Sequence, residues 1–453
     1  MKSLDLHFIC KALDLPLTVE NKQVKRIVTD SRDIQSGDVF FALAGERFDA
    51  HDFVADVLAK GALAAVVSRE DCAALPQTLK VTDTLQALQT LAHAWRVYVD
   101  PFVFGITGSS GKTTVKEMLA SVLRHAFGED AVLATAGNFN NHIGLPLTLL
   151  KLTEQHRYAV IEMGMNHFGE LALLTRIAEP DTALVNNALR AHVGCGFNGV
   201  GDIAKAKSEI YQGVAADGLA LIPCEDANAE VFAEAAACLR KQTFGVKKGE
   251  IHAENIKIMP LSCEFDLVRD EQRAAVKLPV PGLHNVHNAV AAAALAASAG
   301  LELAQIAEGL AGFANIKGRL QIKAGIRQAT VLDDTYNANP DSMKAALDVL
   351  AGLPAPRIFV MGDMGELGES EAARMHREVG EYASAKGIET AYFLGNESAH
   401  AAEAFGANGL WFAAKDPLIQ VLVHDLPQEA NVLVKGSRFM KMEEVVSALL
   451  ADI

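Results

Sequence analysis

The chain has 453 residues, half of them hydrophobic, and a formal net charge of −15. That length suggests two to four domains, and the excess of acid argues against a nucleic-acid partner. Six cysteines without CxxC spacing read as reduced thiols of a cytoplasmic protein, and neither a secretory leader nor an apolar run long enough to span a membrane is expected.

In chain order, residues 39–43 and 64–67 read as short strands, and 84–97 as a helix that leads to a boundary at Asp100-Pro101. An apolar strand at 101–106 then runs into Thr107-Gly108-Ser109-Ser110-Gly111-Lys112-Thr113-Thr114, and an amphipathic helix follows at 115–123. Strands at 158–162, 182–185 and 219–222 alternate with helical segments, the pattern of a parallel α/β sheet. An alanine-rich run at 289–299 reads as a packed helix. A third block begins near Lys317-Gly318-Arg319, with strands at 330–333, 357–361, 390–394 and 432–435, and looks like a second, smaller α/β unit. The expected division is 1–100, 101–316 and 317–453.

Strand, glycine loop and helix together make a phosphate cradle, in which backbone amides and a helix N-terminus face an anion. The loop is the short Gly-x-x-Gly-Lys-Thr form, since Ile106 stands where the longer pattern has a glycine. Lys112, expected to be exposed on this loop, would reach the outer phosphates, and Thr113 would place a hydroxyl on magnesium. Glu162 ends a buried strand, where its carboxylate would stand beside the loop and suit a hard cation. His192 follows another strand, but a lone histidine is more often structural. Lys205 and Lys207 are two apart on a helix, so only one can face a site. Asn285 and Asn288 could share a helix face toward a nucleobase, or serve as cap and first-turn residues. The polar loop 333–342 and the run Lys435-Gly436-Ser437-Arg438 both follow apolar strands, so they would lie on one face of the third unit, opposite the ATP site.

Together these motifs resemble the Mur ligases, ATP-dependent amide ligases that build the peptide of peptidoglycan on a UDP-sugar carrier. The stretches that carry the likeness, in order after the phosphate loop, are GNFNNHIGLPLT (137–148), EMGMNH (162–167), YNANP (336–340), GDMGELG (362–368) and KGSR (435–438). The resemblance implies three domains: an N-terminal one for the UDP end, a central ATPase and a C-terminal dinucleotide-fold-like one. It implies that Ser31, Arg32, Asp49 and His51 bind the UDP moiety. Gly108, Ser109, Ser110, Gly111, Lys112, Thr113, Thr114, Asn288, Arg319 and Asp334 would hold ATP. Asn138, Asn140, Asn141, Tyr336, Asn337, Asn339, Ser342, Lys435, Ser437 and Arg438 would contact substrate. Thr113, Glu162, His192 and Lys207 would serve two magnesium ions, with Lys207 carried as a carbamate and Lys112, Lys207 and His192 in catalytic roles.

The implied reaction joins D-alanyl-D-alanine to UDP-N-acetylmuramoyl-tripeptide through an acyl phosphate, carried out by a cytoplasmic monomer. The alternatives are another amide ligase of the superfamily, such as a folylpolyglutamate synthetase or an earlier Mur ligase, a P-loop kinase, and a non-catalytic nucleotide-binding module.

Overall fold

The computed structural model describes residues 3–17, 20–45, 48–191, 193–194 and 196–450. Among them are three separate β-sheets. The first holds β1 (Arg26–Val28), β2 (Asp38–Phe41), β3 (Ala64–Val67) and β4 (Thr78–Lys80), all parallel and in sequence order. The helix Thr84–Val99 follows, with Asp83 accepting from the Gln86 amide at its start. It stops at Asp100, which takes a left-handed φ of 57° just before Pro101.

That stop turns the chain but does not separate the cores. Leu88, Leu91 and Trp95 of this helix share one apolar cluster with Leu145, Leu149, Leu174 and Ile177. Trp95 Nε1 donates to Leu152 O at 3.0 Å, and Arg96 donates to Ala178 O at 2.9 Å and Glu179 O at 2.7 Å. The helix therefore belongs to the first unit by sequence and joins both units by packing.

The second sheet has nine strands: β5 (Phe102–Thr107), β6 (Val132–Ala134), β7 (Tyr158–Glu162), β8 (Thr182–Val185), β9 (Leu219–Pro223), β10 (Arg240–Phe244), β11 (Ile251–Ile258), β12 (Cys263–Arg269) and β13 (Gln272–Leu278). Their order is β13-β12-β11-β10-β9-β8-β5-β7-β6. From β6 to β11 neighbouring strands are parallel, while β11, β12 and β13 form an antiparallel meander. This meander departs from the all-parallel expectation. Its outer face is half polar, with β13 reading exposed, exposed, intermediate, exposed, buried, exposed, buried, the alternation of a sheet covered on one side only. Helix Leu283–Ser298, buried all round from Ala289 to Ala297, packs between this sheet and helix Lys112–Phe127.

The third sheet holds β14 (Gln321–Ala324), β15 (Thr330–Asp334), β16 (Arg357–Gly362), β17 (Thr390–Leu394), β18 (Gly409–Phe412) and β19 (Asn431–Lys435), in the order β14-β15-β19-β16-β17-β18. Only β14 runs antiparallel to its neighbour. The short strands β1, β4, β14 and β18, each of three or four residues, carried too little pattern to be read from sequence. Among the described residues no helix is long and apolar enough to cross a membrane.

Trp95 is 2% exposed at the joint between the first two cores. Trp95→Ala is expected to destabilise the chain by about 3–5 kcal/mol, through lost burial and an unpaired Leu152 carbonyl. Chemical denaturation measures this, and a loss under about 1 kcal/mol would show that the cores are not coupled there.

Candidate active site

In the second sheet the strand connections reverse direction at β5, which lies between β7 and β8. Ligands in such sheets sit at that reversal, beyond the carboxyl ends of the strands. Here the carboxyl end of β5 leads into the glycine loop. Gly111 takes φ 79° and caps helix Lys112–Phe127 without any side-chain hydrogen bond to the first-turn amides. A Cβ at Gly111 would stand 2.3 Å from Asn288 Oδ1, so only glycine fits. The first turn holds no acidic residue, so its amides and the helix dipole present unopposed positive potential. Lys112 is the first residue of this helix and is half-buried, not exposed on a loop. Its Nζ donates to Gly108 O at 2.7 Å, and burial lowers its pKa against the opposing pull of Glu162.

Strand register sets what surrounds the loop. Ile106 pairs with Glu162, and Thr107 with Val185, so Glu162 and the segment after β8 flank it directly. Asn187 Oδ1 accepts from the Ser110 amide at 2.9 Å, and Asn186 and Asn187 both donate to Ser110 O, at 2.9 and 3.1 Å. Asn186 Nδ2 also lies 3.0 Å from Asn288 Oδ1, Asn288 donates to Asn285 Oδ1 at 3.3 Å, and Asn285 donates to Pro281 O at 2.7 Å. This chain of amides gives Asn285 and Asn288 partners within the protein, and both also line the cavity described below. Both sit inside helix Leu283–Ser298 behind its Gly282 cap, and they brace the phosphate loop from below. Sequence reasoning assigned no role to Asn186 or Asn187; the signal was an Asn-Asn pair directly after a buried strand.

Glu162 is 3% exposed. Its Oε2 accepts from the Thr113 hydroxyl and its Oε1 from Asn140 Nδ2, both at 2.8 Å. Arg319 reaches in from the chain before the third sheet: Nη2 donates to Thr113 Oγ1 at 2.8 Å while the guanidinium lies over the Tyr336 ring at 4.3 Å. Arg319 Nε is buried with no partner among the described residues. On helix Val200–Ser208, Lys205 is exposed and Lys207 is 2% exposed. Burial, with the nearby charge of Lys112, pushes Lys207 well below the usual lysine range. His192 lies outside the described residues, and among those described no cluster of three His, Cys, Asp or Glu side chains forms a metal cage.

The third sheet presents the carboxyl ends of β15 and β19 to the same place. Asp334 and Lys435 are register partners and pair at 2.6 Å, and Asp334 Oδ1 also accepts from the Leu320 amide at 3.1 Å. Lys435 Nζ donates to Asn337 O at 2.9 Å, and Ser437 Oγ to Ala338 O at 3.3 Å. The polar loop and the KGSR run thus meet. They face the phosphate loop across one cavity of about 640 Å³, lined by Ser109–Thr114, Asn138, Asn140, Asn141, Glu162, Asn288, Arg319, Asp334, Tyr336, Asn337, Asn339, Ser342, Lys435 and Arg438 together. Gly108, Lys207 and Ser437 are not part of that lining. Several lining side chains are already engaged. Asn339 and Ser342 form a reciprocal cap on helix Pro340–Ala351, Asn141 Oδ1 accepts from the Gly144 amide at 2.8 Å, and Arg438, at the exposed rim, pairs with Glu443 at 2.6 Å.

The four residues expected at the UDP end lie on turns of the first unit and are not part of this cavity's lining. His51 is 3% exposed, with Nδ1 2.6 Å from Asp49 Oδ1 and Nε2 accepting from the Ser68 amide at 2.9 Å. Both ring nitrogens are used, so His51 staples the turn Ala50–Phe53 to the end of β3. Asp49 caps that turn and also pairs with Arg69 at 3.2 Å. Arg32 is exposed and pairs with Asp30 at 2.6 Å, and Ser31 O accepts from Lys60 at 3.2 Å. Of the four, Arg32 is exposed, Ser31 and Asp49 are half-buried and His51 is buried.

His284, on the cavity wall, was not anticipated from sequence. Burial pushes its pKa down to about 4, with Asp334 opposing the shift. A histidine depressed in the folded state stays neutral there while the unfolded chain takes up a proton. Stability is therefore lost as pH falls from about 6.5 to about 4, by up to about 3 kcal/mol. Denaturation at pH 7 and pH 4.5 is expected to show a smaller acid loss in His284→Gln than in the parent; equal losses would place the acid sensitivity elsewhere.

Comparison with known proteins agrees with this geometry. Family profiles match residues 23–96 (Mur ligase family, catalytic domain), 106–296 (Mur ligase middle domain) and 318–438 (Mur ligase, glutamate ligase domain). The UDP-N-acetylmuramoyl-tripeptide--D-alanyl-D-alanine ligase of Haemophilus influenzae is 44% identical over 437 residues, 95% of this chain and 94% of that protein. The crystal structure of MurF from Acinetobacter baumannii aligns with a TM-score of 0.90 at 37% identity, over 99% of this chain and 98% of that one. MurF ligase from Thermotoga maritima, solved in complex with ADP, aligns with a TM-score of 0.83 at 26% identity, over 94% and 97% of the two chains. The chain belongs to the Mur ligase family.

Proposed function

We propose that this protein is an ATP-dependent peptide ligase that adds D-alanyl-D-alanine to UDP-N-acetylmuramoyl-tripeptide in cytoplasmic peptidoglycan precursor synthesis. One observation carries the reading: the phosphate loop of the second sheet and the Asn- and Lys-bearing loops of the third line one cavity. A ligase of this kind must bring a triphosphate, a carboxylate and an amine together, and each sheet supplies part of the wall. The relatives named above, similar along nearly the whole chain, support the same substrates. The functional division follows as 1–100 for the UDP end, 101–316 for ATP and 317–453 for the incoming dipeptide.

In the first step the tripeptide's terminal carboxylate attacks the γ-phosphate, giving an acyl phosphate and ADP. Two anions meet, so the central task is charge neutralisation. Lys112, the uncapped first-turn amides and Arg319 provide it from fixed positions, and the unpaired Arg319 Nε suits a phosphate oxygen. Magnesium, when bound, would add Lewis-acid neutralisation of the phosphates, and the oxygen donors of Thr113 and Glu162 suit that ion. In the second step the neutral amine of D-alanyl-D-alanine attacks the acyl carbon and phosphate leaves. The cavity walls must exclude water here, because water would hydrolyse the acyl phosphate.

Lys207 fits modification to a carbamate. Burial pushes its amine toward the neutral form, the form that attacks carbon dioxide; a C–N bond forms, a proton is released, and a buried amine becomes an anionic oxygen donor. Activity is expected to fall in carbon-dioxide-depleted buffer and Lys207→Ala to be partly rescued by small carboxylates, whereas Lys205→Ala stays near normal. Equal losses in both variants without rescue would make them ordinary lysines.

The decisive experiment is ADP release with each acceptor present or omitted. Release is expected to require UDP-N-acetylmuramoyl-tripeptide and D-alanyl-D-alanine together, with L-alanine and D-glutamate inactive. A single amino acid would leave buried polar groups unpaired, at about 1–3 kcal/mol each. Turnover with a single amino acid and none with the dipeptide would move the protein to another branch of the family.

A further inference from the structure

The phosphate loop is tied to the third sheet by a route that takes no direct part in the chemistry. Ser109 Oγ donates to Leu189 O at 3.1 Å and accepts from the Leu189 amide at 2.9 Å. The next residue, Arg190, leaves the second sheet's territory. Its backbone amide donates to Asp341 Oδ2 at 3.0 Å, and its Nη2 to Asp341 Oδ1 at 2.5 Å. Its Nη1 donates to both oxygens of Glu378, at 2.9 and 2.8 Å. Asp341 opens helix Pro340–Ala351 and Glu378 lies on helix Glu369–Ala385, so one guanidinium holds two helices of the third unit. Lys344 also pairs with Glu378, which keeps that carboxylate charged and in place.

Two features set this apart from an ordinary surface ion pair. The side chains of Arg190, Asp341 and Glu378 are only 24–26% exposed, and the planar fork is satisfied on all three nitrogens. Beside it the two units touch backbone to backbone. Gly368 N donates to Val193 O at 2.9 Å, and a Cβ on Gly194 would come within 2.7 Å of Gly368 Cα. The segment after β8 is thus clamped between the phosphate loop and the third unit.

We infer that Arg190 is a positioning residue that makes the geometry of the phosphate loop depend on docking of the third unit. With the third unit docked, Asp341 and Glu378 hold Arg190, Arg190 holds Leu189, and Leu189 holds the Ser109 hydroxyl. The amides of Ser109 and Ser110, held by Asn187 O and Oδ1, then fix the loop so that the uncapped first-turn amides of helix Lys112–Phe127 are placed for a phosphate. With the third unit away, the guanidinium loses its partners and the segment relaxes. The phosphate loop is therefore complete only when the wall that brings the second substrate is in place. The turnover part of this inference rests on the ligase reading; the loop-ordering part does not.

The test uses the full chain and the variants Arg190→Ala, Arg190→Lys and Glu378→Gln. Hydrogen exchange, measured without any substrate, reads the peptides covering 107–112 and 186–191; steady-state kinetics reads kcat and KM for ATP. Arg190→Ala is expected to exchange several-fold faster in those two peptides and to lose roughly tenfold in kcat, the scale of mutations along a coupling route. Glu378→Gln, on a helix away from the cavity, is expected to shift both readouts in the same direction by less, and Arg190→Lys to recover part of the loss. Unchanged exchange at 107–112 in both Arg190→Ala and Glu378→Gln overturns the inference. So does equally faster exchange across the whole chain, which marks a merely structural loss. If the parent fails to turn over these substrates, the ligase reading falls while the exchange measurement still decides whether Arg190 orders the loop.

Discussion

The organisation of this molecule depends on one electrostatic constraint: the open N-terminus of helix Lys112–Phe127, which concentrates positive potential at the end of β5. A helix end left without a side-chain cap is a cost that an isolated fold would remove. Here it is kept, and the surrounding side chains hold the loop while leaving the first turn of the helix without a side-chain cap. Asn186, Asn187 and Asn288 take up the outward-turned Ser110 carbonyl and amide and the underside of Gly111, so the loop is rigid before any ligand arrives. Preorganised donors of this kind need no rearrangement when charge develops.

The same constraint explains a contradiction between net charge and local charge. The chain carries −15 overall, yet Lys112, Lys207, Arg319 and Lys435 gather at or behind the cavity. Each is handled differently. Lys435 is paired with Asp334, Arg319 lies on the Tyr336 ring and bonds Thr113, and Lys112 is steadied by a carbonyl. Lys207 is buried, and its pKa falls accordingly. A lysine that the fold drives toward neutrality destabilises the protein when protonated, which points to function rather than packing as the reason for its place.

The two sheets meet through loops and helix ends, not through a continuous apolar core. Among the described residues the third sheet's clusters are separate from that of the phosphate-loop helix, with Val193 alone shared between the first cluster and the third sheet. The first sheet, by contrast, is welded to the second through helix Thr84–Val99. The polar junction is the one across which relative motion costs least, because the groups exposed by opening can be rehydrated.

Much of this was legible in the sequence where chemistry is local. The glycine loop, the strand before it, the helix after it and the main strands of all three units follow from short-range pattern and length. Glu162 could be placed beside the loop because a parallel sheet sends consecutive strand ends to one edge. What sequence could not supply was the set of pairings made across distance. The antiparallel meander has edge-like alternation that only its partners define, and strands of three or four residues carry no period. His51 and Asn339 were expected at ligand sites, and only the structure shows that they also act as a staple and a cap. Spacing left Lys205 and Lys207 equivalent; the helix's packing face separated them. The convergence of the third sheet's loops on the phosphate loop, and the Arg190 bridge that accompanies it, join residues some 150 to 320 positions apart. Local residue preference acts over a few positions, so the sequence by itself determined the parts and their chemistry, and tertiary packing alone decided which of them face one another.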